Sequence, residues 1–333
     1  MNTKVIYAGL AALYLMTLSV LFSSCGHKDL CYQHPHMKTI RVAFDWRNAP
    51  DASPKGMTVM FYPMDGSTYR RFDFQGLDGG KIELPVGEYR VIFHNNDSDV
   101  DLCYGMEEFD THFHYTRQGH IFEPVYGNAA MPAPNAVEDE LVCISPGEMV
   151  GGRVMSLVVD ENGVSFEEET PEDDVVQHRS PTIVTLYPVM MTCHYTFEIR
   201  NVKNLKYVDQ MSGSLSGLNY GIYPGRKDFE HKGVTVPFSA SSSGRDMITG
   251  DFYTYGHCRK HNKTTTFTLY VWMNDDKKYY YTWNVTEQVQ KAPDQRNVHI
   301  IIDNMDLPQP ITNGSGYDVD VDDWLVVEEE IKM

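Results

Sequence analysis

The feature that most constrains this chain is a two-residue alternation of apolar and polar side chains, repeated in short runs. Ile40, Val42, Phe44 and Trp46 alternate with Arg41, Ala43 and Asp45. Met57, Val59 and Phe61 follow, then Ile82, Leu84 and Val86, then Tyr89, Val91 and Phe93. Successive side chains of a strand point to opposite faces, so this period predicts half-buried strands. Leu84 to Phe93 reads as two antiparallel strands joined at Pro85–Glu88, where Gly87 supplies the turn. Arg153–Asp160, Thr182–Leu186, Val189–Arg200 and Arg296–Asp303 continue the pattern. Phe267–Met273 and Lys278–Val285 flank Asn274-Asp275-Asp276 and predict a hairpin. Beyond residue 24 no stretch shows a convincing amphipathic helical period, so the expected fold class is all-β, with short strands at sandwich spacing.

The alternation fails from Asn162 to Pro181, where Glu167, Glu168, Glu169, Glu172, Asp173 and Asp174 gather around Pro171. An acidic, proline-containing stretch between strand-rich halves suggests a linker. The expected organisation is a β-sandwich over residues 38–165, an acidic linker over 166–181 and a second β-sandwich over 182–333, closed by a tail strand. With the first 24 residues set aside, 309 remain, enough for two domains.

Those 24 residues carry one charge, Lys4, then an apolar run from Val5 to Phe22 and the small residues Ser23 and Ser24 before Cys25. That order describes a secretory signal rather than a permanent span. Phe22-Ser23-Ser24-Cys25 resembles the bacterial lipobox, with Phe22 in place of the usual Leu. The expectation is cleavage before Cys25, lipidation of that cysteine and a tether over residues 25–37 on a membrane surface. Each buried acyl CH₂ is worth about 0.8 kcal/mol, so several chains hold a terminus firmly.

The formal charge of −18 argues against nucleic-acid binding, which rests on cationic neutralisation of phosphates. It also argues against docking on anionic headgroups by charge, leaving the lipid as the membrane contact. Besides Cys25 the chain holds Cys31, Cys103, Cys143, Cys193 and Cys258, an odd number with no CxxC and no zinc-type spacing. Cys193 shares a strand face with Val189, Met191, Tyr195, Phe197 and Ile199, which fits a buried apolar thiol; a Cys193–Cys258 bridge within one domain is the alternative.

Little in the sequence suggests catalysis. His34 with His36 and His112 with His114 are the close histidine pairs, but two ligands with no acid or cysteine in register make no metal site. They read as exposed strand histidines. Ser214-Leu215-Ser216-Gly217 approaches a nucleophile elbow in letters, but lacks the Gly two residues before the Ser and a following helix. The chain is therefore expected not to be an enzyme, with no cofactor and no metal. Aromatic residues are the ambiguous signal. Tyr270 and Trp272 share one strand face, and Tyr280 lies on the next strand. Such a face is either packed or an exposed surface for stacking on sugar rings.

Four segments resemble Bacteroidales lipoproteins related to fimbrillins and to minor-fimbrium anchoring subunits. They are His27–Tyr32, Leu84–Asp97, Phe197–Leu218 and Tyr317–Ile331. The resemblance implies two tandem transthyretin-like β-sandwiches on an outer-membrane lipid anchor, a cell-surface role in fimbria-like fibres, and no catalytic residues. Sandwiches of this kind assemble when an extended segment of one subunit completes a sheet edge of another. The candidate segments are the tail, with Tyr317, Val319, Val321, Trp324 and Val326, and the early strand Thr39–Trp46. Completing their own sheets is the expectation for both. Two readings of function follow: a structural or adhesive lipoprotein of a fimbria-like assembly, whose partners are other surface subunits, or a surface glycan-binding lipoprotein of a nutrient uptake system.

Overall fold

A computed structural model describes residues 36–127, 140–170, 174–260, 264–310 and 324–328. The alternating runs become strands. The first half holds β1 (Met37–Phe44), β2 (Gly56–Pro63), β3 (Arg70–Gln75), β4 (Gly80–Pro85), β5 (Gly87–Asn95), β6 (Asp101–Tyr104), β7 (Phe113–Thr116), β8 (Leu141–Val142), β9 (Val150–Asp160), β10 (Gly163–Glu169) and β11 (Val175–Ser180). The second holds β12 (Ile183–Leu186), β13 (Val189–Met190), β14 (Cys193–Arg200), β15 (Val208–Tyr223), β16 (Asp228–Ser239), β17 (Ser241–Ser242), β18 (Ile248–Thr254), β19 (Thr266–Met273), β20 (Lys278–Asn284), β21 (Asn297–Asp303) and β22 (Leu325–Glu328). Two short helices, α1 (Glu123–Tyr126) and α2 (Thr286–Gln290), lie between strands.

The first sandwich packs a sheet ordered β12-β1-β4 against one ordered β11-β10-β9-β5-β2-β3. Its core joins Ile40 and Val42 of β1, Leu84 of β4 and Val184 and Leu186 of β12 to Val59, Phe61, Val91, Phe93 and Phe166 from the other sheet. These are the inward members of the alternating runs. Burying one such side chain contributes about 1.5–3 kcal/mol. The second sandwich packs β17-β18-β14-β21 against β22-β20-β19-β15-β16-β8. There Tyr195, Phe197 and Ile300 meet Leu215, Phe238, Phe267 and Trp283.

The all-β class is as the alternation predicts, but the boundaries differ from those expected. The acidic stretch is no linker in the structure. Its residues form β10 and β11, an antiparallel hairpin on the edge of the first sandwich. Val164, Phe166 and Glu168 turn inward while Ser165, Glu167 and Glu169 turn outward, so a regular strand is present under the acidic composition. Glu168 is nearly buried and pairs with His178 of β11 at 2.7 Å. The start of the second domain also moves. β12 runs parallel to β1 and completes the first sandwich, so the expected boundary at 182 falls too early.

A second departure is an excursion between β5 and β9. Residues of the N-terminal half leave their own sandwich here: β7 pairs with β15 and β6, and β8 pairs in parallel with β16. Side chains reinforce this crossing. Arg153 of β9 forms a bidentate pair with Glu169 of β10, Nε donating to Oε1 and Nη2 to Oε2, and donates to the Gly225 carbonyl at 2.7 Å. The Tyr255 hydroxyl donates to Asp101 at 3.0 Å. The two sandwiches are thus joined by shared strands and not by a flexible tether.

Candidate functional site

Two clusters and a strand edge concentrate what could carry function. The first cluster surrounds the aromatic residues of β19. Tyr270 and Trp272 do share a face, and Tyr280 of β20 stands opposite Tyr270 in register. That face is covered. Phe122, just before α1, packs edge-on to Tyr270 at 5.0 Å and to Trp272 at 4.8 Å. Trp324 stacks on Phe122 at 5.0 Å and meets Trp272 at 4.9 Å. Tyr270 is fully buried and Trp272 only 7% exposed. The exposed sugar-stacking surface considered from the sequence is therefore a buried satellite core. Its lid comes from segments about 150 residues before and 50 after β19, which the local sequence could not reveal.

Beside this lid runs the tail. β22 lies parallel to β20, with Leu325 opposite Tyr279, the Val326 backbone opposite Tyr280, and Glu328 opposite Thr282. The tail thus forms an outer strand of its own eight-stranded sheet. Tyr317, Val319 and Val321 lie outside the described residues, as do Cys25 and His34. The opposite sandwich presents β11, where Val175 and Val176 are 58% and 41% exposed on an outer strand. Its other outer strand, β3, carries Arg70, Arg71 and Asp73, charges of the kind that discourage edge pairing.

The second cluster was missed at the sequence level. His112 and His114 are not exposed strand histidines; they are 0% and 3% exposed. His94 of β5 joins them, with ring centroids 4.6 Å from His114 and 5.8 Å from His112, while His112 and His114 stack at 4.8 Å. One ring nitrogen from each of the three lies within 4.8 Å of the others. The Nδ1 atoms of two rings are engaged: His112 with the Tyr62 hydroxyl at 2.9 Å, and His94 with the Asn95 carbonyl at 2.8 Å. The Nε2 atoms of His112 and His114 are buried without a hydrogen-bond partner. An unsatisfied buried polar group costs about 1–3 kcal/mol. Burial pushes His112 down to about 3, with the neighbouring His94 adding to the effect. It lowers His114 strongly and His94 too, so all three rings are neutral near pH 7.

The remaining candidates are structural. Ser214 lies inside β15 and is buried, with no elbow around it. Cys193 is an unbridged buried thiol, so the Cys193–Cys258 bridge is not formed. Burial pushes the Cys193 thiol up to about 11, away from reactivity. Among the described residues, no helix is long and apolar enough to cross a membrane.

A family model described as a domain of unknown function, DUF5119, matches residues 24–239, well over half of the chain. The chain belongs to the DUF5119 family. A curated relative of this member is the “Putative fimbrium anchoring subunit Fim4B” of Bacteroides ovatus, 26% identical over 104 residues. The match spans 31% of this chain and 31% of that relative. Among solved structures, a “putative adhesin” of Bacteroides ovatus superposes with a TM-score of 0.57 at 18% identity, covering 87% of this chain and 99% of that one. The fimbrial anchor protein Mfa2 of Porphyromonas gingivalis is more distant, with a TM-score of 0.46 at 10% identity, covering 80% of this chain and 91% of its own. The fold of this DUF5119 member is accordingly shared with that Bacteroides ovatus structure.

Proposed function

We propose that this DUF5119 protein is a cell-surface subunit or anchor of a fimbria-like fibre, tied to the outer membrane by lipid on Cys25 and working through protein–protein contacts. The observation that carries the reading is the matched segment of a fimbrium anchoring relative, together with an all-β frame in which β22 is laid on a sheet edge. The tandem sandwiches are read as transthyretin-like, as the resemblance implies. β22 is four residues long and pairs along one side with β20, so its place is the kind that a strand from another subunit can take. Main-chain hydrogen bonds would supply affinity there, and alternate side chains selectivity. No catalytic step belongs to this function. Covered by Phe122 and Trp324, Trp272 offers no platform for sugar rings, which weighs against the glycan-binding alternative.

The reading is tested by deleting the gene and following the fibres. Fibres that detach into the medium or change length support it. Fibres unchanged in length and attachment refute it.

A further inference from the structure

We propose that His94, His112 and His114 form a binding site for one divalent transition-metal ion of zinc type, clamping the two sandwiches together. The donor set is the first ground. Three imidazoles, with no carboxylate among the ligands, suit zinc, nickel, cobalt or copper and reject calcium or magnesium, which take oxygen ligands. Geometry is the second. A tetrahedral zinc with Zn–N bonds of about 2.0–2.1 Å places its nitrogens roughly 3.4 Å apart. The ring nitrogens already lie within 4.8 Å of one another, so ring rotations of modest size close the set.

The second shell is the third ground. A ligating histidine ordinarily engages its other ring nitrogen with a carbonyl or a hydroxyl, which fixes the ring. His112 uses Nδ1 on the Tyr62 hydroxyl and His94 uses Nδ1 on the Asn95 carbonyl. The Nε2 atoms of His112 and His114 remain, buried and unpartnered. An ion satisfies them. Arg71, a cation whose charge acts on His94 and His112, is held by Asp73 at 3.0 Å, which offsets its repulsion of a metal. With three protein ligands the fourth position falls to a water molecule or another small donor.

The placement gives the ion a mechanical role. His94 sits on β5, in the middle of the seven-stranded sheet of the first sandwich. His114 sits on β7, which is hydrogen-bonded to β15 of the second sandwich opposite Ile222. An ion held by both therefore links the sheets of the two sandwiches at the point where the excursion crosses. A subunit that bears tension along a fibre gains from such a clamp.

The test uses the detergent-solubilised full chain, stripped with a chelator and titrated with Co²⁺ and then Zn²⁺. The expected result is one ion per chain and a visible cobalt spectrum of tetrahedral type without thiolate charge transfer. The melting temperature should rise on adding zinc. In His114→Gln, affinity should fall at least about tenfold and the thermal shift should vanish; in Tyr62→Phe, which leaves all three ligands, affinity should fall by roughly 10-fold or more. If His114→Gln does not fold, Tyr62→Phe and the wild-type cobalt spectrum decide. An octahedral cobalt spectrum, or uptake unchanged in the folded variants, assigns the metal to surface histidines and overturns the proposal.

Discussion

Trp324→Ala is the sharpest perturbation of the tail. In the folded chain the indole meets Phe122 at 5.0 Å, Tyr270 at 5.5 Å and Trp272 at 4.9 Å. Aromatic pairs of this kind contribute about 0.5–1.5 kcal/mol each beyond burial. The three pairs share rings, so they do not add fully, and the side chain is only partly buried. A loss of about 2 kcal/mol is expected from these contacts. If β22 opens locally, that loss raises its open population roughly 30-fold, since about 1.4 kcal/mol is a tenfold change. Hydrogen exchange with mass spectrometry reads this directly on the peptide covering Lys278–Asn284, the partner strand. The expected outcome is faster exchange there and at 325–328, with exchange in β14 unchanged. Equal exchange in the variant and the parent would show that Trp324 does not hold the strand, and the reading of the lid would fall.

Further perturbations probe other parts of the structure. A Cβ on Gly213 would lie 2.1 Å from the Phe238 ring, so Gly213→Ala should destabilise by about 1–3 kcal/mol through overpacking, measured by denaturant unfolding. Arg153→Ala removes the pair with Glu169 and the bond to the Gly225 carbonyl; because both side chains are about one-fifth exposed, a loss of about 1–3 kcal/mol is expected on the same curve. Cys193 should stay unmodified by a thiol reagent in the folded protein at neutral pH and react only on unfolding, as its thiol is raised to about 11. Tyr270 is raised to about 12 by burial, and Tyr62, Tyr195 and Tyr255 further still, against about 10 for an unfolded tyrosine. A raised folded value means the stability is intact below pH 10 and is lost as pH climbs from about 10 to 12 and beyond. Tyrosinate absorbance and circular dichroism should therefore change together; buried tyrosines ionising near pH 10 without unfolding would contradict this.

How much could be read from the letters depended on whether a signal was local. The strands β1, β2, β4, β5, β14 and β21 follow from alternation because one face of each is core. β10 carries the same alternation, but six acids between 167 and 174 dominate the composition, and only Val164, Phe166 and the pairing of Glu168 with His178 of β11 reveal the hairpin. The crossing of β7 and β8 into the second sandwich is a matter of partner choice, which local periodicity does not encode. The histidine site hid for a related reason. His112-Phe113-His114 was visible as a pair, but its third member is 18 residues earlier, on a strand of the other sandwich. Likewise Tyr270 and Trp272 were legible as one face, whereas the cover supplied by Phe122 and Trp324 was not.

In the proposed function this DUF5119 protein holds fibres on the cell through Cys25. The direct measurement is the share of fibre protein in the medium, compared with the cell pellet, for a deletion strain complemented with the wild-type gene or with Cys25→Ala. The account predicts cell-bound fibres with the wild-type gene and shed fibres in both the deletion and the Cys25→Ala strain. Fibres equally cell-bound in all three strains would contradict it.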